Sequence, residues 1–244
     1  MAGTPPSSTE SILAIPALGA QAGLVHGFST NRLGSMRGDK TASSPLTPAR
    51  RDLVAALGLA SESLAVVGAV HGARVDRVDQ ASGSIAGCDG LITDRAGVLL
   101  LATFADCYPV LLFDPVRPAL GLLHAGWRGA AAGVAGEAVA RLGHEYGSDP
   151  AELVAGLGPG ICGSCYEVGE EVAAHFPATC LRSTPDGRFL LDIRAALRRQ
   201  LRAAGLLAHR IHDLAICTRE TPELLPSHRR SPDGTRFACL AALS

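Results

Sequence analysis

Two histidines and a cysteine, His71, Cys107 and His124, each lie at the end of an apolar run and are followed by a break in the pattern. Those runs span residues 64–67, 98–104 and 119–123, and they have the length and composition of buried strands. Because buried strands converge in a sheet, residues at comparable strand ends can meet although they are distant in sequence. Two imidazoles and one thiolate suit Zn²⁺ with a fourth position open to water or substrate.

The separations between these residues match no compact zinc-finger pattern, so the fold itself would have to assemble the site. Asp106, beside Cys107, would orient a ligand, and nearby glycines would let the backbone approach closely. These glycines are Gly72, Gly126 and Gly129. Two other interpretations remain open. Cys107 would be a nucleophile with a histidine base, or the three side chains would be ordinary buried residues.

Further polar residues suggest an anion site. Arg128 stands at the start of an Ala-rich stretch, 129–142, that predicts a helix, and backbone N–H groups at a helix start attract anions. Arg229 and Arg230 would complete such a pocket. Glu167 is a candidate general acid or base. The alternatives are solvated arginines and a surface or capping glutamate.

Cys162 and Cys165 form a C-x-x-C motif, which is found in redox and zinc-ribbon sites. No second C-x-x-C completes a four-cysteine set, and no thioredoxin-like strand and helix pattern surrounds this one. The motif therefore does not by itself indicate either kind of site.

The pattern of apolar runs and turn residues predicts one α+β domain over residues 11–244 after a disordered tail at 1–10. Three consecutive strands at 98–104, 110–113 and 119–123 are expected to pair directly, which disfavours a purely parallel sheet. The other expected strands are 153–157, 211–217 and 237–243. Helices are expected at 51–57 with a Thr47 cap, at 129–142, at 170–176, and at 193–204 with an Asp192 cap.

Composition excludes several classes of function. Net charge is −1 over 244 residues and no basic face is evident, which argues against nucleic acid as a partner. No apolar run approaches the roughly 18 residues of a membrane span, so no membrane association is expected. Seven cysteines without a signal peptide predict reduced thiols and a cytoplasmic location.

Several motifs together resemble the YfiH-like family. They are V-H-G at 70–72, C-D-G-L-I-T-D at 88–94, A-D-C-Y-P-V-L-L-F-D at 105–114, H-A-G-W-R-G at 124–129 and C-Y-E-V-G at 165–169. Members have been called multicopper polyphenol oxidoreductases or laccases, peptidoglycan editing factors and purine nucleoside phosphorylases. The resemblance implies mixed β-sheet layers packed between helices, and Zn²⁺ held by His71, Cys107 and His124.

The resemblance also implies phosphorolysis of adenosine, inosine and S-methyl-5′-thioadenosine, together with deamination of adenosine. For deamination, the hypothesis is that an activated water attacks C6 of the purine while Asp106 or Glu167 shuttles protons. For phosphorolysis, phosphate held by Arg128, with Arg229 or Arg230, would attack the anomeric carbon. The expected partners are a purine nucleoside and phosphate, and the protein is expected to be a monomer or homodimer.

Two alternative functions remain. The first is a cysteine hydrolase acting on a peptidoglycan precursor, with Cys107 as nucleophile and His124 or His71 as base. The second is a copper-dependent phenol oxidase; Cu²⁺ is possible at a His/His/Cys site. None of the eight histidines, however, forms the H-x-H pairs expected of multicopper oxidases.

Overall fold

The computed structural model describes residues 10–38, 45–59, 63–80 and 83–244, so the predicted tail at 1–10 lies outside it except for Glu10. In this part of the chain there are fifteen strands and six α-helices. Strands β1–β15 are Ile12–Leu13, Leu24–Ser29, Leu64–Gly68, Val75–Arg77, Gly83–Ala86, Gly90–Thr93, Leu99–Phe104, Tyr108–Asp114, Ala119–Ala125, Val154–Leu157, Glu167–Val168, Leu181–Ser183, Phe189–Leu191, Ile211–Asp213 and Phe237–Leu243. Helices α1–α6 are Pro16–Gly19, Pro48–Ala56, Trp127–Ala131, Val134–Tyr146, Glu170–Ala173 and Ile193–Ala203.

Side-chain caps start two of the longer helices where the sequence predicts them. The Thr47 hydroxyl accepts a hydrogen bond from the Arg50 N–H at 3.4 Å, and Asp192 Oδ1 accepts one from the Ala195 N–H at 2.9 Å. Such a cap stabilises a helix by about 1 kcal/mol. None of the helices in the described residues combines the length and apolar character that crossing a membrane would require.

Two six-stranded mixed sheets pack face to face. The first has the order β1-β2-β15-β7-β3-β5 and the second β14-β10-β8-β9-β6-β4, with a small sheet β11-β13-β12 beside them. Alternate residues of each strand fill the space between the sheets, among them Phe104 and Cys239 from the first and Leu111 and Leu122 from the second. Helix α2 covers the outer face of the first sheet, and α4 and α6 that of the second. The predicted α+β class, with sheet layers between helices, is confirmed.

Strand directions bring three distant chain segments to one end of this sandwich. β3 and β7 are parallel neighbours, so the loops that follow them leave the same edge of the first sheet. The chain then crosses to the second sheet between Phe104 and Tyr108. β9 runs antiparallel to β8, which places Ala125 opposite Tyr108. The loop after β3, the crossing after β7 and the end of β9 therefore meet.

Three predicted elements differ from the structure in pairing or continuity, and the helix expected at 170–176 already ends at Ala173. The strand at 98–104 was expected to pair with its successor, but β7 pairs with β3 and β15, because the turn after it crosses between sheets. The helix expected at 129–142 is broken into α3 and α4 by Gly133, whose φ of 84° is left-handed. The strand expected at 211–217 ends at Asp213, because Ala215 has a φ of 55° and cannot continue an extended chain.

The buried His26 on β2 should make stability depend on pH. Its Nε2 accepts the N–H of Ile15 at 3.0 Å, and burial lowers the pKa of His26 from 6.5 to about 4. Above pH 6.5 the His26 ring is neutral in both the folded and the unfolded chain. As pH falls below 6.5, the ring takes up a proton in the unfolded chain but stays neutral in the folded chain. The contribution of His26 to the free energy of unfolding should therefore fall by about 2 kcal/mol on going from about pH 7.5 to about pH 5.

Denaturant titration at both pH values will measure this loss. In His26→Gln, whose amide oxygen can still accept the Ile15 N–H, the corresponding part of the pH dependence should disappear. The exposed His209→Gln is the matched control and should keep the wild-type slope. Equal slopes in all three proteins would contradict the assignment.

Candidate functional site

The three predicted metal ligands lie together. One ligand atom from each of His71, Cys107 and His124 is within 4.8 Å of the other two. The two imidazole rings stand at 83° with centroids 5.0 Å apart. His124 is buried, Cys107 is half-buried and His71 is exposed. The cluster is therefore anchored in the sheet on one side and open to solvent on the other, as a site that admits a reactant must be.

The backbone around the cluster has unusual conformations. His71 and Asp106 have φ angles of 64° and 82°, and only Ala215 is like them among the described residues other than glycine. Left-handed backbone of this kind costs of order 1–3 kcal/mol and concentrates at functional sites. Gly126 is required for space, because a Cβ at that position would lie 2.9 Å from the Cys107 sulfur. The predicted close approach of backbone to the site is present there.

Asp89 holds the site together, and sequence reasoning missed it. This fully buried carboxylate faces Nδ1 of His124 across 3.3 Å and accepts the N–H groups of His71 at 2.8 Å and Gly72 at 2.6 Å. The contact with Nδ1 leaves Nε2 of His124 available to the cluster. Burial alone would raise the pKa of Asp89, but these hydrogen bonds outweigh it and lower the pKa. The sequence signal that could identify it is the C-D-G motif at 88–90.

Cys107 and His124 polarise each other. Burial opposes ionisation of the thiol, yet the neighbouring His124 and His71 lower the pKa of Cys107 to about 6. Burial likewise opposes protonation of His124, but Cys107 and Asp89 raise its pKa to about 9. Both shifts favour the charged pair, a thiolate beside an imidazolium. A thiolate is the form of cysteine that binds a metal or attacks a carbon.

The two carboxylates predicted as proton shuttles are in different places. Asp106 lines the cleft beside the cluster, where its carboxylate accepts the Thr218 hydroxyl at 2.7 Å and the Arg229 N–H at 2.7 Å. Glu167 is half-exposed, pairs with Arg188 at 2.6 Å, and is not among the described residues that line the cleft. The structure therefore brings Asp106 to the cluster and leaves Glu167 outside.

A cleft of about 1420 Å³ opens beside the cluster and is strongly cationic. The described residues that line it include a single carboxylate, that of Asp106. They also include five arginines, Arg37, Arg50, Arg128, Arg229 and Arg236; of these, Arg50 is buried and its guanidinium donates to the carbonyls of Met36 and Pro45. Arg128 lies over the ring of Trp127 at 4.3 Å, and Arg229 over the ring of Tyr166 at 4.6 Å. This combination suits an anionic reactant together with a planar one.

Arg230, the third predicted anion ligand, is turned away from the cleft. Its guanidinium donates to the carbonyl oxygens of Thr218 at 2.9 Å, Arg219 at 3.1 Å and Leu225 at 3.0 Å. These hydrogen bonds tie Arg230 to the preceding segment, residues 218–225. Arg230 is therefore placed to position the loop that carries Arg229, while Arg128 and Arg229 face the cleft.

Comparisons with known proteins identify relatives of this chain. The family model described as multi-copper polyphenol oxidoreductase laccase matches residues 21–244. A protein named purine nucleoside phosphorylase from Deinococcus radiodurans is 42% identical over 165 residues, which are 66% of this chain and 64% of that protein. Purine nucleoside phosphorylase YlmD of Geobacillus stearothermophilus is 35% identical over 239 residues, covering 88% of this chain and 86% of the relative.

Solved structures show the same fold. The crystal structure of Geobacillus stearothermophilus YlmD has a TM-score of 0.83 at 31% identity, over 91% of this chain and 93% of that one. The Bacillus licheniformis hypothetical protein YfiH has the same TM-score and coverage at 27% identity. The chain therefore belongs to the family described as multi-copper polyphenol oxidoreductase laccase, the YfiH-like family that its sequence motifs resemble.

Proposed function

We propose that this chain is a zinc-dependent purine nucleoside phosphorylase. It would cleave adenosine, inosine and S-methyl-5′-thioadenosine with phosphate to give the free base and the sugar 1-phosphate, and it would also deaminate adenosine. The observation that carries the proposal is the His71–Cys107–His124 cluster opening into a cleft lined by five arginines. The names of the Deinococcus and Geobacillus relatives support it.

The donor set fits Zn²⁺. Two imidazoles and a thiolate leave one position of a tetrahedral ion open, and Asp89 orients His124 as outer carboxylates do in zinc enzymes. Zn²⁺ bound there would supply Lewis-acid polarisation of a reactant oxygen. Among the described residues this is the one candidate metal group that contains histidine, whereas multicopper oxidation needs several histidine-rich centres. The same ligands accept Cu²⁺, so metal analysis should measure both.

The residues of the cleft have separable tasks in phosphorolysis. Arg128 and Arg229 would bind phosphate and hold it against the anomeric carbon, where positive charge develops as the glycosidic bond breaks. The ring of Trp127 or Tyr166 would stack on the purine. Each arginine already lies over one of these rings, so the anion and the base would be bound next to each other.

For deamination, Asp106 is the better placed of the two predicted proton shuttles. It lies in the cleft next to Cys107, whereas Glu167 is occupied by Arg188. Asp106 also accepts the Arg229 N–H, so it links the proton-transfer position to the proposed phosphate site. We therefore assign to Asp106 the acceptance of a proton from the attacking water and its return to the leaving amine.

The decisive assay incubates purified protein with inosine and phosphate and follows hypoxanthine and ribose 1-phosphate by chromatography, alongside elemental analysis for zinc and copper. Base release should require phosphate. Arg128→Ala should raise the KM for phosphate about 10- to 100-fold, the range for losing one charge-assisted hydrogen bond. Arg202→Ala, an exposed arginine on α6, is the control and should behave as wild type. Base release that proceeds equally without phosphate would contradict phosphorolysis.

One observation supports a cysteine hydrolase as a second candidate. In space, His124 lies between Cys107 and Asp89. The three side chains therefore have the order nucleophile, base and orienting carboxylate, which is the arrangement of a catalytic triad. Such an enzyme would keep its turnover of a cell-wall amide or ester after complete chelation and would lose it on alkylation of Cys107. The proposed phosphorylase should lose its activity on chelation and recover it with Zn²⁺. The two outcomes are mutually exclusive.

A further inference from the structure

Four more donor side chains converge outside the cluster. Cys162 and Cys165 lie in the loop after β10, and Cys217 and Glu220 lie in the segment after β14. One donor atom from each lies within 4.8 Å of the others. Cys217 is buried, Cys162 and Cys165 are half-buried, and Glu220 is exposed. All three sulfurs are free thiols.

The two segments present their donors with the same local geometry. Each pair is spaced three residues apart on a tight turn: the Cys165 N–H donates to the Cys162 carbonyl at 3.0 Å, and the Glu220 N–H to the Cys217 carbonyl at 3.2 Å. A turn of this kind puts both side chains on one side, which is why C-x-x-C pairs recur in zinc sites. Here the second pair, Cys217 and Glu220, has the pattern C-x-x-E, so the C-x-x-C motif faces a second turn that also carries two donors.

Backbone bonds clamp the two turns against each other. The Gly160 N–H donates to the Ile216 carbonyl, and the Thr218 N–H donates to the Gly160 carbonyl, both at 3.2 Å. The Cys162 N–H also points at the Cys217 sulfur at 3.3 Å, a bond that favours a thiolate. The donors are therefore positioned by the main chain and not only by flexible side chains.

We propose that Cys162, Cys165, Cys217 and Glu220 form a second, structural Zn²⁺ site. Soft thiolates select Zn²⁺ over Mg²⁺ or Ca²⁺, and four protein ligands leave no open position for a reactant. Zinc–sulfur bonds of about 2.3 Å would set the donors about 3.7 Å apart, so small side-chain rotations suffice. On binding, the thiols release their protons and no group changes oxidation state.

Charge and position support this assignment. Three thiolates and a carboxylate carry more negative charge than Zn²⁺ neutralises. Arg219, on the turn between Cys217 and Glu220, adds a positive charge nearby and donates to the Cys165 carbonyl at 3.0 Å. The ion would join two chain segments that also build the cleft. Tyr166 lines the cleft directly after Cys165, and Thr218, directly after Cys217, donates to Asp106. Metal at this site would therefore hold part of the reactant pocket in place.

Metal analysis of matched variants tests the proposal. Cys165→Ser and Glu220→Gln should each contain about one zinc fewer per chain than wild type and should melt several degrees lower. The controls are Glu171→Gln, an exposed glutamate on α5, and Glu223→Gln, an exposed glutamate on the segment that follows Glu220. Both controls should keep the wild-type zinc content and melting temperature.

Zinc-edge X-ray absorption adds a readout that does not depend on activity or on the first cluster. In His124→Ala the remaining zinc should show three sulfur neighbours at about 2.3 Å. If that variant does not fold, the zinc in wild-type protein should show about two sulfur neighbours on average, whereas the first cluster alone would give one. Unchanged zinc content in both Cys165→Ser and Glu220→Gln would overturn the proposal. So would a disulfide between two of the three cysteines in protein purified under reducing conditions.

Discussion

Replacing His124 with alanine is expected to reduce phosphorolysis of inosine more than about 100-fold and to remove about one zinc per chain. Loss of a group that merely orients a ligand costs about 10- to 100-fold, and loss of the ligand itself should cost more. His124 is the buried anchor of the cluster: its ring stacks on Phe104 with centroids 5.4 Å apart and faces His71. Cys107→Ser should give the same two losses.

The measurements are kcat/KM with inosine and phosphate, and zinc content by mass spectrometry, on protein whose fold is verified by circular dichroism. His144→Ala is the matched control, because that side chain is 78% exposed on α4. It should retain full activity and metal. A folded His124→Ala protein with wild-type turnover would refute the proposed function, whatever its zinc content.

Local sequence patterns were sufficient to predict the three cluster residues. A buried strand is read from a short apolar run, and the residue that ends the run is then placed near a sheet edge. His71, Cys107 and His124 were found in this way, and the structure brings them together. Helix caps at Thr47 and Asp192 are equally local, since each involves only a side chain and an N–H three residues away.

Pairing between distant segments could not be predicted from such patterns. Nothing in residues 98–104 distinguishes a strand that pairs with its successor from one that pairs with β15, the last strand of the described chain. Both alternatives bury the same apolar side chains, so hydrophobic pattern cannot decide between them. The interruptions at Gly133 and Ala215 are likewise set by where the flanking elements must pack.

The site residues that sequence reasoning missed act at long range. Asp89 reads as an ordinary turn aspartate until β6 and β9 are paired, which places it against His124. The sequence contains no second C-x-x-C to pair with Cys162 and Cys165; in the structure, Cys217 and Glu220 lie beside that motif. A carboxylate at the fourth position gives no recognisable motif by itself.

Asp89→Asn is expected to weaken zinc binding at the cluster about 10- to 100-fold, with a comparable loss of activity at limiting zinc. The wild-type carboxylate accepts from the backbone of His71 and Gly72 while facing Nδ1 of His124. An amide can present only one oxygen, so its NH₂ group must face one of those donors. An unsatisfied buried donor of this kind costs about 1–3 kcal/mol, which should also lower the melting temperature.

A competition titration with a chelator of known affinity will measure the zinc dissociation constant of folded Asp89→Asn. Asp76→Asn, on the neighbouring strand β4, is the control, because among the described residues its carboxylate forms an ion pair with the largely exposed Arg74 alone, at 2.9 Å. Saturating zinc should restore much of the lost activity in Asp89→Asn, since the three ligands themselves are intact. If zinc affinity is unchanged while stability falls, Asp89 supports only the 70–72 turn, and its proposed control of the His124 ring is wrong.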